Sequence, residues 1–320
     1  MESTMEIGSF LELQLPKGRE LYNQKQNIAR LNTGRMGIWH AFRVTGCKRI
    51  WIPIYQCDSI RETFEKKGVN ICFYHQDKNF TPLDIEASEN DAVLLVNYFG
   101  IMSHDRMVEL AKPYKHAIID CAQAFFCKPV EDALTVYSCR KFVGAPDGSY
   151  VIGRNAHKYV DEYPQCYSSD TAAFLLKRIE YGCEGKGYEA RSINEHRIDA
   201  EDCMKMSKLT RTLMDAEDYE FNRQKRKDNF VYAHSLLGSI NKINPTMYMD
   251  ADTYPMVYPL VVEDDSLFAA KHFQGHWWSY ICDEQPETSF EHWISRYVIP
   301  ITIDQRYGKK EIEYLVNVIK

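Results

Sequence analysis

The apolar positions of this chain fall into short runs separated by amphipathic stretches. Lys48–Pro53 (KRIWIP), Val69–His75 (VNICFYH), Asp91–Tyr98 (DAVLLVNY) and His116–Asp120 (HAIID) read as β-strands. The last two are apolar enough to be buried on both faces. Between these runs, Asp58–Lys67 and His104–Lys112 have helical spacing; Gly68 stops the first and Pro113 the second. Leu134–Ser138 and Gly148–Ile152 read as two more strands around a loop, Arg140–Asp147. Strands alternating with helices predict βαβ crossovers, hence an α/β fold with a mainly parallel sheet and helices on both faces.

From about Asp170 to Ala233 the spacing turns helical, with Leu209, Leu213 and Ala216 on one face and Phe230 continuing it. Beyond it, Tyr254–Val262, Trp277–Cys282 and Tyr297–Ile301 read as strands. Helices are expected near Ser266–Gln274, Phe290–Ser295 and Lys309–Ile319. The expected division is a large domain over 1–229, including the bridging helices, and a smaller C-terminal α/β domain over 230–320. With no repeat and no low-complexity linker, the two are expected to pack closely.

Charge narrows the partners. Thirty-nine Lys and Arg against 45 Asp and Glu give a net charge of −6, with no field to gather phosphate backbones. The cluster Arg223, Lys225, Arg226, Lys227 reads as the solvated face of a helix, so no nucleic-acid partner is expected. Glu2, Glu6 and Glu12 stand where a secretory signal would be basic and then apolar. The longest uncharged apolar stretch, Ala92–Ser103, is too short to cross a bilayer, so no membrane partner is expected. The ten cysteines include no CxxC pair and no zinc-site spacing, and His272, His276 and His292 lack metal spacing. Cys72, Cys121, Cys127 and Cys282 lie in apolar runs where thiols pack as small hydrophobes. A reducing, cytoplasmic setting and no metal follow as expectations.

Open parallel sheets collect ligands at the carboxyl ends of their strands, and three features fall there. Asp120 ends the strand HAII, with Gln123 one turn on. Alone it reads as a cap or turn residue, but a carboxylate leaving a buried strand needs a partner. Lys141 follows a strand and precedes a Gly/Pro-rich turn. It is either solvated or, with a carbonyl cofactor, a Schiff-base nucleophile. Asn32-Thr33-Gly34-Arg35-Met36-Gly37 precedes the amphipathic run IWHAF. It is either an ordinary capped turn or an anion cup at a helix N-terminus. Together, cup, acid and lysine are the parts a pyridoxal 5'-phosphate (PLP) site requires. Trp277 and Trp278 offer a sugar-stacking surface, but adjacent residues on a strand face opposite sides, which puts at least one in the core.

The series LNTGRMGIW, IPIYQCDSI, LLVNYFG, IIDCAQAFF, YSCRKFVGAPDG and IPITIDQRY resembles the DegT/StrS-type sugar aminotransferase family, among the fold-type-I PLP-dependent enzymes. The likeness runs from about Asn32 to Tyr307. Its most specific part is D-x-x-Q at Asp120 and Gln123, followed by S-x-x-K at Ser138 and Lys141. The resemblance implies a fold-type-I large domain, and implies that Lys141 binds the cofactor aldehyde and moves the proton. It implies Asp120 as partner of the pyridine nitrogen and Gln123 near the ring's phenolic oxygen. Ser138 and the backbone N–H groups of Gly34 and Arg35 would hold the phosphate. It also implies a homodimer with the active site at the interface, an amino-acid donor such as glutamate, and a keto-sugar acceptor, nucleotide-linked.

Three positions depart from the family pattern. Gly34-Arg35 replaces the usual Gly-Thr, so the guanidinium either pairs with phosphate or points to solvent. The aromatic that normally covers the ring is represented by Tyr55 or Cys57, and Glu-Gly-Gly becomes Asp147-Gly148-Ser149. The expected activity is therefore sugar aminotransfer. The alternatives are a non-catalytic PLP-fold binding or regulatory module, or another PLP-dependent sugar reaction such as dehydration. Lys141 opposes the latter, since dehydrating members tend to carry histidine there.

Overall fold

The computed structural model describes residues 7–266 and 277–319. In chain order its elements are β1 (Ile28–Leu31), α1 (Gly34–Thr45), β2 (Arg49–Pro53), α2 (Asp58–Lys66), β3 (Asn70–Gln76), β4 (Pro82–Leu83) and β5 (Asp91–Val96). Then come α3 (His104–Ala111), β6 (Ala117–Cys121), β7 (Leu134–Ser138) and β8 (Ser149–Ile152). The helical stretch is α4 (Ala173–Tyr181), α5 (Lys186–Ala200), α6 (Lys208–Asp215) and α7 (Tyr219–Leu237). The C-terminal elements are β9 (Val257–Val261), α8 (Tyr280–Glu284), α9 (Phe290–Tyr297), β10 (Val298–Thr302) and α10 (Lys309–Ile319).

Eight strands form one sheet in the order β1-β8-β7-β6-β5-β2-β3-β4. The five from β7 to β3 are parallel, and β1, β8 and β4 are antiparallel to their neighbours. Side-chain alternation divides the core between the two faces. Ala92 and Leu94, Ile118, Val136 and Val151 pack under α1 and α2. Val93 and Leu95, Ile119, Tyr137 and Tyr150 face the opposite layer, which is continuous with the C-terminal unit. Strands β5 to β8 are buried on both faces, so they read as largely apolar runs.

Helix α1 shows how local sequence sets the site. Thr33 caps it, its hydroxyl accepting the Met36 N–H at 3.3 Å, and Gly46 ends it with a left-handed φ of 74°. A Cβ at Gly37 would stand 2.6 Å from Ser149 Oγ and 2.7 Å from Val136 Cγ1. Only a bare α-carbon lets the helix lie this close to β7 and β8. Ile38 and Phe42 anchor that face, each burial stabilising by about 2 kcal/mol.

Several expectations need correction. Trp277–Cys282 is not a strand: Trp277 to Ser279 form a turn, Trp278 has φ 58°, and the short helix α8 follows. Both tryptophans meet aromatic partners. Trp277 stacks on Phe99 with centroids 5.6 Å apart, and Trp278 meets Tyr55 edge-on at 4.6 Å. The cluster at Arg223–Lys227 is not wholly solvated. Residues 222, 226, 229, 230, 233 and 237 form the buried stripe of α7, and Arg226 is 2% exposed. Its guanidinium lies 4.4 Å over the Phe142 ring and donates to the Met256 carbonyl at 3.0 Å. The boundary expected at 229/230 lies inside α7, which is unbroken. His272, His276 and most of the helix expected at Ser266–Gln274 lie outside the described residues, while His292 is buried. Among the described residues, no helix is long and apolar enough to cross a membrane.

Candidate active site

The carboxyl ends of β7, β6, β5 and β2 lie side by side, and the strand order reverses between β5 and β2. Asp120 stands at the end of β6, 5% exposed. Its Oδ1 accepts the Ala122 N–H at 2.8 Å and its Oδ2 accepts an N–H of the Gln56 amide at 3.1 Å. Burial pushes its carboxyl up from the ordinary value, while the Lys141 charge, the Ala122 N–H and the Gln56 amide pull it back.

Lys141 closes a tight turn, Cys139–Lys141, directly after β7. It is exposed, and its charge acts on both Asp120 and Cys57. No hydrogen bond or ion pair engages its amine among the described residues. The segment beyond it is held from the C-terminal side. Gln305 donates to the Phe142 carbonyl at 2.9 Å, and Arg226 covers the Phe142 ring.

Ser138, at the end of β7, is buried beside the first turn of α1. A Cβ at Gly34 would lie 3.5 Å from Ser138 Cβ and 3.9 Å from its Oγ. The N–H groups of Gly34 and Arg35 head α1 and have no intrahelical acceptor. Two free N–H groups, a hydroxyl and a helix dipole thus share one cradle.

The remaining expected residues divide. The Arg35 guanidinium neither points freely to solvent nor reaches into the cradle. It donates to Asp199 Oδ1 at 2.7 Å and to the Ile198 carbonyl, both on α5. Arg140, beside Lys141, is paired with Glu195 one turn earlier on the same helix. Gln123 is 3% exposed and its Oε1 accepts the Phe99 N–H at 2.7 Å. The Tyr55 ring is fully buried between Tyr98, at 5.3 Å, and Trp278. Cys57 is partly exposed; burial pushes its thiol up, while Ser59 and Lys141 pull it back. A cleft of about 130 Å³ opens beside Gln56 and Cys57, with Phe73 and Tyr280 among its walls.

Gln56 is the residue that sequence reasoning missed. It is 4% exposed and touches Asp120 across the end of β5. A glutamine within IPIYQCDSI after a strand gave a weak signal, because polar residues are ordinary there. The acids of α5 were equally silent, since Glu195 and Asp199 meet Arg140 and Arg35 only through tertiary packing.

This arrangement is what PLP needs from a protein: an anion cradle, a buried carboxylate and a lysine within its field. The cradle's unpartnered N–H groups and the lone lysine fit the group. No protein-family profile matches the sequence, and no curated protein does. Solved structures do share the fold. The sugar aminotransferase CalS13 from Micromonospora echinospora matches over 92% of this chain and 87% of its own, at 14% identity and TM-score 0.61. A DegT/DnrJ/EryC1/StrS aminotransferase from Brucella abortus matches over 91% and 84%, at 12% identity and TM-score 0.58. Spr1654 from Streptococcus pneumoniae, in its PLP form, matches over 94% and 88%, at 14% identity and TM-score 0.62. The chain therefore has the fold of the fold-type-I PLP aminotransferases.

Proposed function

We propose that the protein is a PLP-dependent aminotransferase that moves an amino group from an amino acid such as glutamate to a keto-sugar, nucleotide-linked. The observation that carries this reading is Lys141 standing within the electrostatic field of a buried Asp120, beside the cradle of Gly34 and Ser138. Bound PLP would supply an electron-accepting ring that stabilises negative charge at the donor's α-carbon.

The positions support a task for each residue. Ser138 and the first N–H groups of α1 would hold the phosphate. Asp120 would keep a proton on the pyridine nitrogen, since an ionised carboxylate in a desolvated site favours a cation facing it. Cys57, partly exposed and within reach of the Lys141 charge, would border the ring, since Tyr55 is packed into the core. Gln123, anchored through Phe99, would stand near the phenolic oxygen. Lys141 would be the residue that holds the cofactor's aldehyde, and its amine, when free, would take and return the proton at the donor's α-carbon.

A homodimer is part of the proposal. Leu176, Ile179, Tyr181, Tyr188 and Ile193 are exposed on α4 and α5, apolar surface that a second copy would cover. The ten cysteines are free thiols, in keeping with a cytoplasmic setting. The commitment of Arg35 to α5 favours one other reading, a PLP-binding module that no longer exchanges amines. Purified protein supplied with PLP separates the two. Visible absorbance that glutamate bleaches is expected; absorbance that survives glutamate favours the module, and none in folded protein contradicts both.

A further inference from the structure

Three contacts fix Gln56. Its Oε1 accepts the Cys57 N–H at 2.8 Å, its Nε2 donates to Asp120 Oδ2 at 3.1 Å, and its own carbonyl accepts the Tyr280 hydroxyl. The amide's orientation is determined by these neighbours. A backbone N–H requires the oxygen on one side, and a carboxylate requires the nitrogen on the other. The side chain is buried, so the contact forms away from competing water.

The groups facing Asp120 make this amide consequential. The titratable ones are Lys141, Tyr98 and Cys121. The Tyr98 hydroxyl donates to the Tyr55 carbonyl and lies 2.8 Å from Gln76 Oε1, and Cys121 is a buried thiol, so neither supplies positive charge. Lys141 does, but only while its amine is protonated, and the proposed reaction requires that amine to gain and lose protons. The Ala122 N–H and the Gln56 amide are donors whose contribution is independent of protonation.

We propose that Gln56 is a positioning residue of the cofactor site, holding the Asp120 carboxylate ionised and oriented while Lys141 changes charge. The inference rests on the PLP reading above. It gives Gln56 no contact with the reacting atoms; the residue acts through Asp120. It also ties the acid to the C-terminal unit, because Tyr280 holds the Gln56 backbone.

The test is a titration of the full chain without cofactor, labelled with carbon-13 at aspartate carboxyls. The Asp120 signal is assigned by its absence in Asp120→Asn. Gln56→Leu is expected to raise the Asp120 midpoint by about one pH unit and to weaken PLP binding about tenfold. Should Gln56→Leu fail to fold by circular dichroism, Gln56→Glu keeps the acceptor for Cys57. It sets a second carboxylate against Asp120 and is expected to raise the midpoint further. An unchanged midpoint, with PLP binding intact in the wild type, overturns this inference alone. A raised midpoint in a protein whose wild type binds no PLP overturns the cofactor reading and the role of Gln56 with it.

Discussion

Gly34 and Ser138 face each other across the start of α1 and the end of β7, and a Cβ at Gly34 would touch Ser138 Cβ at 3.5 Å. The contact brings a helix N-terminus and a strand terminus, over a hundred residues apart in sequence, into one anion-sized cradle. Arg35 sits in the same turn, yet its side chain is committed elsewhere, to Asp199 and the Ile198 carbonyl.

These two facts predict unequal effects on cofactor affinity. Ser138→Ala takes the hydroxyl from the proposed phosphate cradle and is expected to raise the PLP dissociation constant tenfold or more. Arg35→Ala is expected to change it by less than about threefold, because its ion pair faces α5 near the surface. Equilibrium titration of both variants checks this. The reverse order would place the Arg35 guanidinium in the cradle.

Gly100 supplies a stability prediction. Its φ is +72°, and a Cβ there would collide with the Gln123 carbonyl and stand 3.1 Å from the Met256 backbone nitrogen. Gly100→Ala is expected to cost at least about 2 kcal/mol in urea unfolding, from left-handed backbone strain plus a clash with main chain that cannot swing away. Because Phe99 and Gln123 are bonded next to it, the same change is expected to loosen PLP binding.

A pH dependence follows from His40. Its ring is buried, with Nε2 2.7 Å from the Ala156 carbonyl and Nδ1 2.9 Å from the Tyr163 hydroxyl. A carbonyl only accepts, so Nε2 carries the proton and Nδ1 accepts from the tyrosine. Burial lowers the pKa of His40 below its usual 6.5. The unfolded chain therefore takes up a proton that the folded chain refuses, and stability falls as the pH drops below about 6.5. Above that value this group contributes no slope. His40→Gln, which can make both bonds without titrating, is expected to flatten the urea midpoint across this acid range, and an unchanged slope would contradict the assignment.

Much of this fold was legible because burial on both faces makes a strand conspicuous. DAVLLV and HAIID stand out in sequence, and Leu134–Ser138 matches its strand end to end. Strand β1, IARL, was not visible: four residues with an arginine among them carry no alternation strong enough to notice. WWSYIC misled for the opposite reason. Aromatic richness favours strands, but a short apolar run cannot announce the positive φ that Trp278 adopts. At the candidate site, Asp120 and Lys141 were legible because their positions at strand ends are local facts, while Ser138 came from the family resemblance. Gln56 and the α5 acids were not, since their roles come from elements that meet only after folding. Arg226 shows the same limit, with a charge cluster hiding one guanidinium turned inward onto Phe142.

Borohydride reduction of the PLP-loaded protein, followed by peptide mapping by mass, tests the central claim most directly. The account predicts a single added pyridoxyl group on the peptide holding Lys141 and none in Lys141→Ala. A label on any other lysine, or no label on folded wild-type protein, would contradict it.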